Sequence, residues 1–295
     1  MNGPSADMTE STCRFILNVT CASAQGQVAA VVGFLDGFGC YIDEFSVFDD
    51  PQTARFFVRC EFHVPGPRRL GCETLQEAFV PLARRFAFEW AIFDASVKPK
   101  VMILVSRLDH CLVDLLHRWR INELPIDITG VVSNHRDLET IVRSHGIDFH
   151  HLPVTPETRS VQEQALVSLI ERTKTELVVL ARYMQVLSSS LCAHLAGRAI
   201  NIHHSFLPGF KGARPYHQAY TRGVKLIGAT AHFVTGDLDE GPIIEQVVER
   251  VDHTFTPERL LAAGRDMERA ALARAVEGFI ERRIFIHEGR TVILR

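Results

Sequence analysis

Two polar clusters in the C-terminal third of the chain hold the residue types that carbonyl chemistry requires. The first is Asn201-Ile202-His203-His204-Ser205-Phe206-Leu207-Pro208. The second is Gly236-Asp237-Leu238-Asp239-Glu240-Gly241-Pro242. Asn201 and His203 stand two apart, so on a strand their side chains share a face. Asn201 offers amide N–H donors, and His203 offers a donor whose charge changes near neutral pH. Two donors on one side and the Asp239 carboxylate from another loop suit attack on a carbonyl. The donors would steady a developing oxyanion and the carboxylate would manage protons. Plainer readings exist for each residue. An Asn at a strand end satisfies backbone groups, a His there sits bonded in the core, and Asp239 before Glu240-Gly241-Pro242 builds a turn. The adjacent pair His203-His204 raises the question of a metal. Neighbouring strand positions point to opposite faces and no third ligand has a useful interval, so no metal is predicted.

The elements that must position these clusters follow from hydrophobic periodicity. Residues 14–20 predict a strand and 27–35 a helix, with apolar residues at Val28, Val31, Val32 and Leu35. Strands are predicted at 40–48 and 54–64, joined by the turn Asp49-Asp50-Pro51-Gln52. A helix over 73–86 and a strand over 91–96 complete the set. The order strand–helix–strand–strand–helix–strand is the ferredoxin-like α+β arrangement, an antiparallel sheet with two helices on one face. Lys98-Pro99-Lys100 reads as a linker. Beyond it, apolar strands at 101–106, 126–132, 147–152, 177–180 and 199–202 alternate with helices at 112–119, 136–145, 161–172 and 190–195. Such alternation predicts a doubly wound, mostly parallel α/β sheet covered on both faces. Two longer strands, 225–234 and 243–251, and a helix from Pro257 to about Arg283 close the chain. In doubly wound sheets ligands bind outside the carboxyl ends of the strands, where both polar clusters fall. The predicted organisation is a disordered tail over 1–12, a small domain over 13–97 and a larger one over 98–295.

The front domain resembles an ACT domain, a small-molecule sensing module, chiefly in its first strand, its Gly-containing loop and the helix of Val28-Ala29-Ala30-Val31. Its loop Cys21-Ala22-Ser23-Ala24-Gln25-Gly26 lacks the charge that effector-binding members carry. The expectation for this copy is therefore a structural or oligomerising role beside a regulatory one. The larger domain resembles the formyltransferase-fold family. Asn201-Ile202-His203, Ser205-Phe206-Leu207-Pro208, Gly212 and then Asp239 match its signature. The family includes glycinamide ribonucleotide transformylases, methionyl-tRNA formyltransferases and formyltetrahydrofolate deformylases. The resemblance implies that Asn201, His203 and Asp239 are catalytic. It also implies that Ala181-Arg182-Tyr183-Met184-Gln185-Val186-Leu187 lines a folate pocket. Met184, Gln185, Val186 and Leu187 would form one wall, and Thr235, Gly236 and Asp237 the other.

Three features bear on whether the acceptor is an amine or water. The segment Ser106-Arg107-Leu108-Asp109 has no glycine, and Asp109 would repel the acceptor phosphate that a glycine loop cradles in the transformylases. His110-Cys111-Leu112-Val113-Asp114-Leu115-Leu116 and His204, where transformylases have proline, resemble the deformylase branch. The front domain belongs to the same arrangement. The resemblance implies hydrolysis of 10-formyltetrahydrofolate to formate and tetrahydrofolate, in one-carbon metabolism and purine biosynthesis. A folate-dependent formyltransferase acting on an unidentified amine and a non-catalytic folate sensor are the alternatives. No cofactor is expected, the folate being a substrate.

The totals fit this picture. With 295 residues, 46% hydrophobic and 23% charged, the chain suits two globular domains. A formal net charge of −3 with scattered Lys and Arg argues against a nucleic-acid partner. Seven cysteines, odd in number and with no C-x-x-C, predict free thiols in a cytoplasmic protein. The first twelve residues lack a basic start and an apolar run, so no signal peptide is read there, and no apolar stretch reaches the length of a membrane helix. A homo-oligomer, dimer or tetramer, is expected from edge pairing of the ACT-like domain.

Overall fold

The structure, a computed structural model, describes residues 13–66, 70–207 and 215–295. The tail over 1–12, Pro208 and Gly212 lie outside the described residues. The chain divides into two compact units, one running up to Val97 and including Leu294 and Arg295, the other Lys98–Ile293.

The first unit runs β1 (Cys13–Ala22), α1 (Gln27–Gly37), β2 (Tyr41–Asp50), β3 (Arg55–Val64), α2 (Cys72–Phe86) and β4 (Glu89–Asp94). Its antiparallel sheet has the order β2-β3-β1-β4. Strand alternation sorts the side chains. Phe15, Leu17, Val19 and Cys21 of β1 share one core with Val58, Cys60 and Phe62 of β3. Val31 and Leu35 of α1, and Leu75 and Phe79 of α2, belong to that core too, so both helices cover one face. The helical residues recur at intervals of four, which places each set on one stripe. On β3, Arg59 is 1% exposed. Glu44 accepts from it at 2.8 Å and Glu61 at 3.1 Å, so the buried guanidinium is paired on two sides.

The second unit is built on a seven-stranded sheet of order β11-β10-β9-β8-β5-β6-β7. Its parallel strands are β5 (Lys100–Val105), β6 (Asp127–Ser133), β7 (Phe149–His151), β8 (Leu177–Leu180) and β9 (Ala199–His203). β10 (Leu226–Phe233) pairs antiparallel with β9, and β11 (Ile243–Arg250) antiparallel with β10. The helices are α3 (His110–Arg120), α4 (Glu139–Ser144), α5 (Arg159–Thr173), α6 (Ser189–His194), α7 (Pro215–Arg222) and α8 (Pro257–Ile280). Alternate residues of each central strand enter different cores. Ile103, Val179 and Ile200 pack with α3 and α8. Met102, Leu104, Val178 and Leu180 pack with α5 and α6. Continuous apolar strands are thus what a sheet covered on both faces needs.

Three features depart from the sequence expectation. The helix α7 and the hairpin β12 (Ile284–His287) and β13 (Arg290–Ile293) were not predicted. α8 stops at Ile280 rather than about Arg283, because Arg282 turns left-handed with φ 57° and its N–H bonds back to the Phe279 carbonyl. The hairpin turn is Glu288-Gly289, both at positive φ, a pairing that twists with the strands as Asn-Gly turns do. Among the described residues no helix is long and apolar enough to cross a membrane.

Candidate active site

The carboxyl ends of β8 and β9, the β10–β11 loop and the face of α8 enclose a cavity of about 740 Å³. Asn201 and His203 reach it from β9, the last parallel strand, and Asp239 reaches it from the loop after β10. Met184, Gln185, Val186 and Leu187 line one part, and Thr235, Gly236 and Asp237 another. Every residue selected from the sequence therefore opens onto one space. Met184 and Val186 are each 57% exposed, whereas Leu187 is buried and belongs to a core as well. The loop is tied down at several points. The Met184 N–H donates to Ser106 Oγ at 3.0 Å, and Arg159 donates to the Val186 carbonyl. The Ser188 N–H donates to Glu163 at 2.8 Å.

His203 Nδ1 lies 3.2 Å from Asp239 Oδ2. An ionised carboxylate only accepts, so Nδ1 carries the proton and Nε2 is the free position. His203 Nε2 is buried and has no hydrogen-bond partner among the described residues. A buried ring nitrogen without a partner costs free energy unless a ligand meets it. The other oxygen of Asp239 faces His232 Nε2 at 3.6 Å, an ion-pair separation beyond hydrogen-bond length. His203, and after it His232, hold the Asp239 carboxyl well below the usual carboxylate range, outweighing its partial burial.

His232 was not selected from the sequence. It is 2% exposed on β10, and its Nδ1 meets the Phe233 carbonyl at 2.9 Å. A carbonyl can only accept, so Nδ1 donates, and Nε2 lies 3.3 Å from Asn201 Nδ2, between that amide and Asp239. The amide of Asn201 is thereby oriented, with one N–H left for the cavity. The same strand holds the next turn. Thr230 Oγ1 donates to the Ser205 carbonyl at 3.0 Å and accepts from the Leu207 N–H at 3.1 Å and from Gln246 at 3.1 Å. The loop carrying Asp239 approaches β10 closely. An added Cβ at Gly241 would stand 1.7 Å from the Phe233 carbonyl oxygen, so only glycine fits. The only signal for His232 in the sequence was a polar residue inside an apolar strand.

A second polar group lines the same cavity. Glu268 on α8 is 2% exposed. His110 Nε2 is 2.8 Å from its Oε2, Arg182 Nε is 3.4 Å from the same atom, and the Tyr216 hydroxyl donates to Oε1 at 3.3 Å. Burial raises the Glu268 carboxyl, but the His110 hydrogen bond and the Arg182 charge reverse this and hold it below the ordinary range. Burial pushes the Tyr216 hydroxyl far up, which keeps it a donor. Arg182 holds a left-handed backbone, φ 64°. His204 also lines the cavity, its ring 5.1 Å from that of His203. The expectation that the two imidazoles face opposite sides does not hold, because β9 ends at His203 and alternation ends with it. Burial, then the charges of Arg182 and His203, lower the His204 pKa to about 4, so the ring is neutral. His110, Cys111 and Glu268 place three possible metal ligands within 4.8 Å of one another. His110 and Glu268 are bonded to each other, and burial pushes the Cys111 thiol far up, against its thiolate form.

The doubly wound sheet falls in the formyl transferase class: residues 99–276 match the formyl transferase family. The chain is 49% identical over 282 residues to a formyltetrahydrofolate deformylase of Corynebacterium sp. (strain P-1), covering 96% of this chain and 98% of that protein. The crystal structure of a formyltetrahydrofolate deformylase from Burkholderia mallei superposes with a TM-score of 0.91 at 59% identity, over 96% of this chain and all of that one. A glycinamide ribonucleotide transformylase from Symbiobacterium toebii superposes at a TM-score of 0.62 with 31% identity, over 67% of this chain and 95% of that one. The chain belongs to the formyltetrahydrofolate deformylase family.

Proposed function

We propose that this protein hydrolyses 10-formyltetrahydrofolate to formate and tetrahydrofolate, with Asn201, His203 and Asp239 at the reacting formyl group. The observation that carries the reading is the His203 Nε2, buried and unpartnered on a ring that lines the cavity. Once protonated, that nitrogen donates to the oxygen of the tetrahedral intermediate beside the free N–H of Asn201. Asp239 holds the ring by Nδ1–H and balances the imidazolium charge. With both oxygens turned toward imidazoles and its carboxyl held low, Asp239 suits that holding role better than the role of taking the water proton. The folate ring would lie between Met184, Gln185, Val186 and Leu187 on one side and Thr235, Gly236 and Asp237 on the other, the two exposed apolar side chains closing over it. This reading needs no resident metal or cofactor. It places the protein in the cytoplasm, in keeping with free cysteines throughout the described residues. It gives the first unit a regulatory or oligomerising role, the protein being a dimer or tetramer. The test is to supply 10-formyltetrahydrofolate without an amine acceptor and measure both products. Equal release of formate and tetrahydrofolate, abolished in Asp239→Asn, is the expected result; folate binding with no release would defeat the reading.

A further inference from the structure

Hydrolysis needs a base for the attacking water, and the Asn201–His203–Asp239 group does not offer a free one. Asp239 accepts from His203 at 3.2 Å and has His232 Nε2 3.6 Å from its other oxygen, and His203 is engaged at Nδ1 and placed to donate from Nε2. The neutral imidazole beside them is His204. It stands next to His203 on the cavity wall, the two ring centroids 5.1 Å apart. The groups that bear on it come from three other elements. Arg182 follows β8, Glu268 stands on α8 and Asp239 on the β10–β11 loop, while His203 is its chain neighbour. Arg182 reaches Glu268 from a left-handed backbone that a non-glycine residue adopts only under strain, and such strain gathers at working sites. Burying a carboxylate with a guanidinium is no route to stability by itself. The arrangement makes sense if it serves the ring beside it.

We propose that His204 takes the proton of the attacking water, and that Glu268, paired with Arg182 and His110, is the positioning residue that fixes the polar wall against which that water is held. The proposal rests on the hydrolytic reading above. The water oxygen bonds to the formyl carbon while one of its protons passes to His204. The carbonyl electron pair moves onto oxygen, where Asn201 and His203 meet it. Collapse restores the carbonyl and breaks the bond from carbon to N10, whose electron pair takes the proton back from His204. Tetrahydrofolate and formic acid leave, the latter ionising in water.

The experiment uses the full chain and 10-formyltetrahydrofolate, with kcat, KM, folate affinity and Tm measured for wild type, His204→Gln, His204→Ala and Glu268→Gln. In both His204 variants kcat falls on the order of 10²–10⁴-fold, as removal of a general base does, with folate affinity and Tm kept. Added imidazole restores turnover to His204→Ala, which a packing role would not give. Glu268→Gln lowers kcat at unchanged KM. Undiminished kcat, weakened folate binding or loss without rescue in the His204 variants overturns the proposal. A rise in KM alone overturns the part given to Glu268. A wild-type enzyme that releases no formate would instead defeat the hydrolytic reading itself.

Discussion

The imidazole of His203 is constrained from one side only: Asp239 fixes Nδ1 and nothing among the described residues meets Nε2. Replacing it removes a donor from the site of developing charge, so His203→Ala lowers kcat on the order of 10²–10³-fold with KM little changed, measured as formate release. Asp239 also couples the site to pH through stability. Its carboxyl sits below the ordinary range in the folded state, so its contribution is fully present above the unfolded value of about 3.9 and fades as pH falls toward the folded value. Urea unfolding of wild type and Asp239→Asn shows this as a gap that is open at neutral pH and narrows below about pH 4. Equal gaps at both pH values would remove the coupling. At this scale the sequence was legible where residue types stood at strand intervals, as Asn201 and His203 do. His232 and Glu268 were not legible, nor was the pairing of Arg182 with Glu268, because a charged or polar residue inside an apolar stretch gives no sign of the partner it meets across the fold.

The helices and loops around the site carry their own marks. α8 has Gly264 near its middle, where glycine costs about 1 kcal/mol relative to alanine. An added Cβ there would stand 2.1 Å from the Tyr216 ring, so the glycine makes the notch that Tyr216 occupies beside Glu268. Gly264→Ala therefore destabilises by about 1–3 kcal/mol despite the better helix propensity, read by urea unfolding, and lowers kcat as Tyr216 shifts. Gly241→Ala acts on the other wall. The Phe233 carbonyl must give way, Asp239 moves with the loop, and most formate release is lost. A Gly241→Ala enzyme at the wild-type rate would show that the loop has room to spare. Strong periodicity made the strands and longer helices readable in advance. α7 was not, since its eight residues make only about two turns, and the hairpin turn Glu288-Gly289 lacks the Asn or Asp that usually announces one.

For the whole molecule, the buried thiols offer a separate readout of the two units. Burial raises Cys21 to about 11 and Cys60 to about 12, both in the first unit, and pushes Cys111 of the second unit further still. Alkylation proceeds through the thiolate, so all three resist a thiol reagent at pH 8 in the native protein and react on unfolding. Mass-spectrometric mapping of the labelled cysteines during a denaturant titration then reports each unit separately; prompt labelling of Cys111 in the native enzyme would contradict the burial. The division near Lys98 was visible in the sequence as a change of rhythm, from an antiparallel α+β pattern to strands alternating with helices. The order in which the site's parts occur along the chain has a further consequence. Asn201 and His203 come from β9, Asp239 from the loop after β10 and Glu268 from α8, while the sheet is centred on β5, translated long before them. A ribosome that has made the first two-thirds of the chain has exposed much of a core but neither Asn201, His203, Asp239 nor Glu268. Nascent and prematurely ended chains are therefore silent toward the folate pool, and activity arrives in a single step with the last helix.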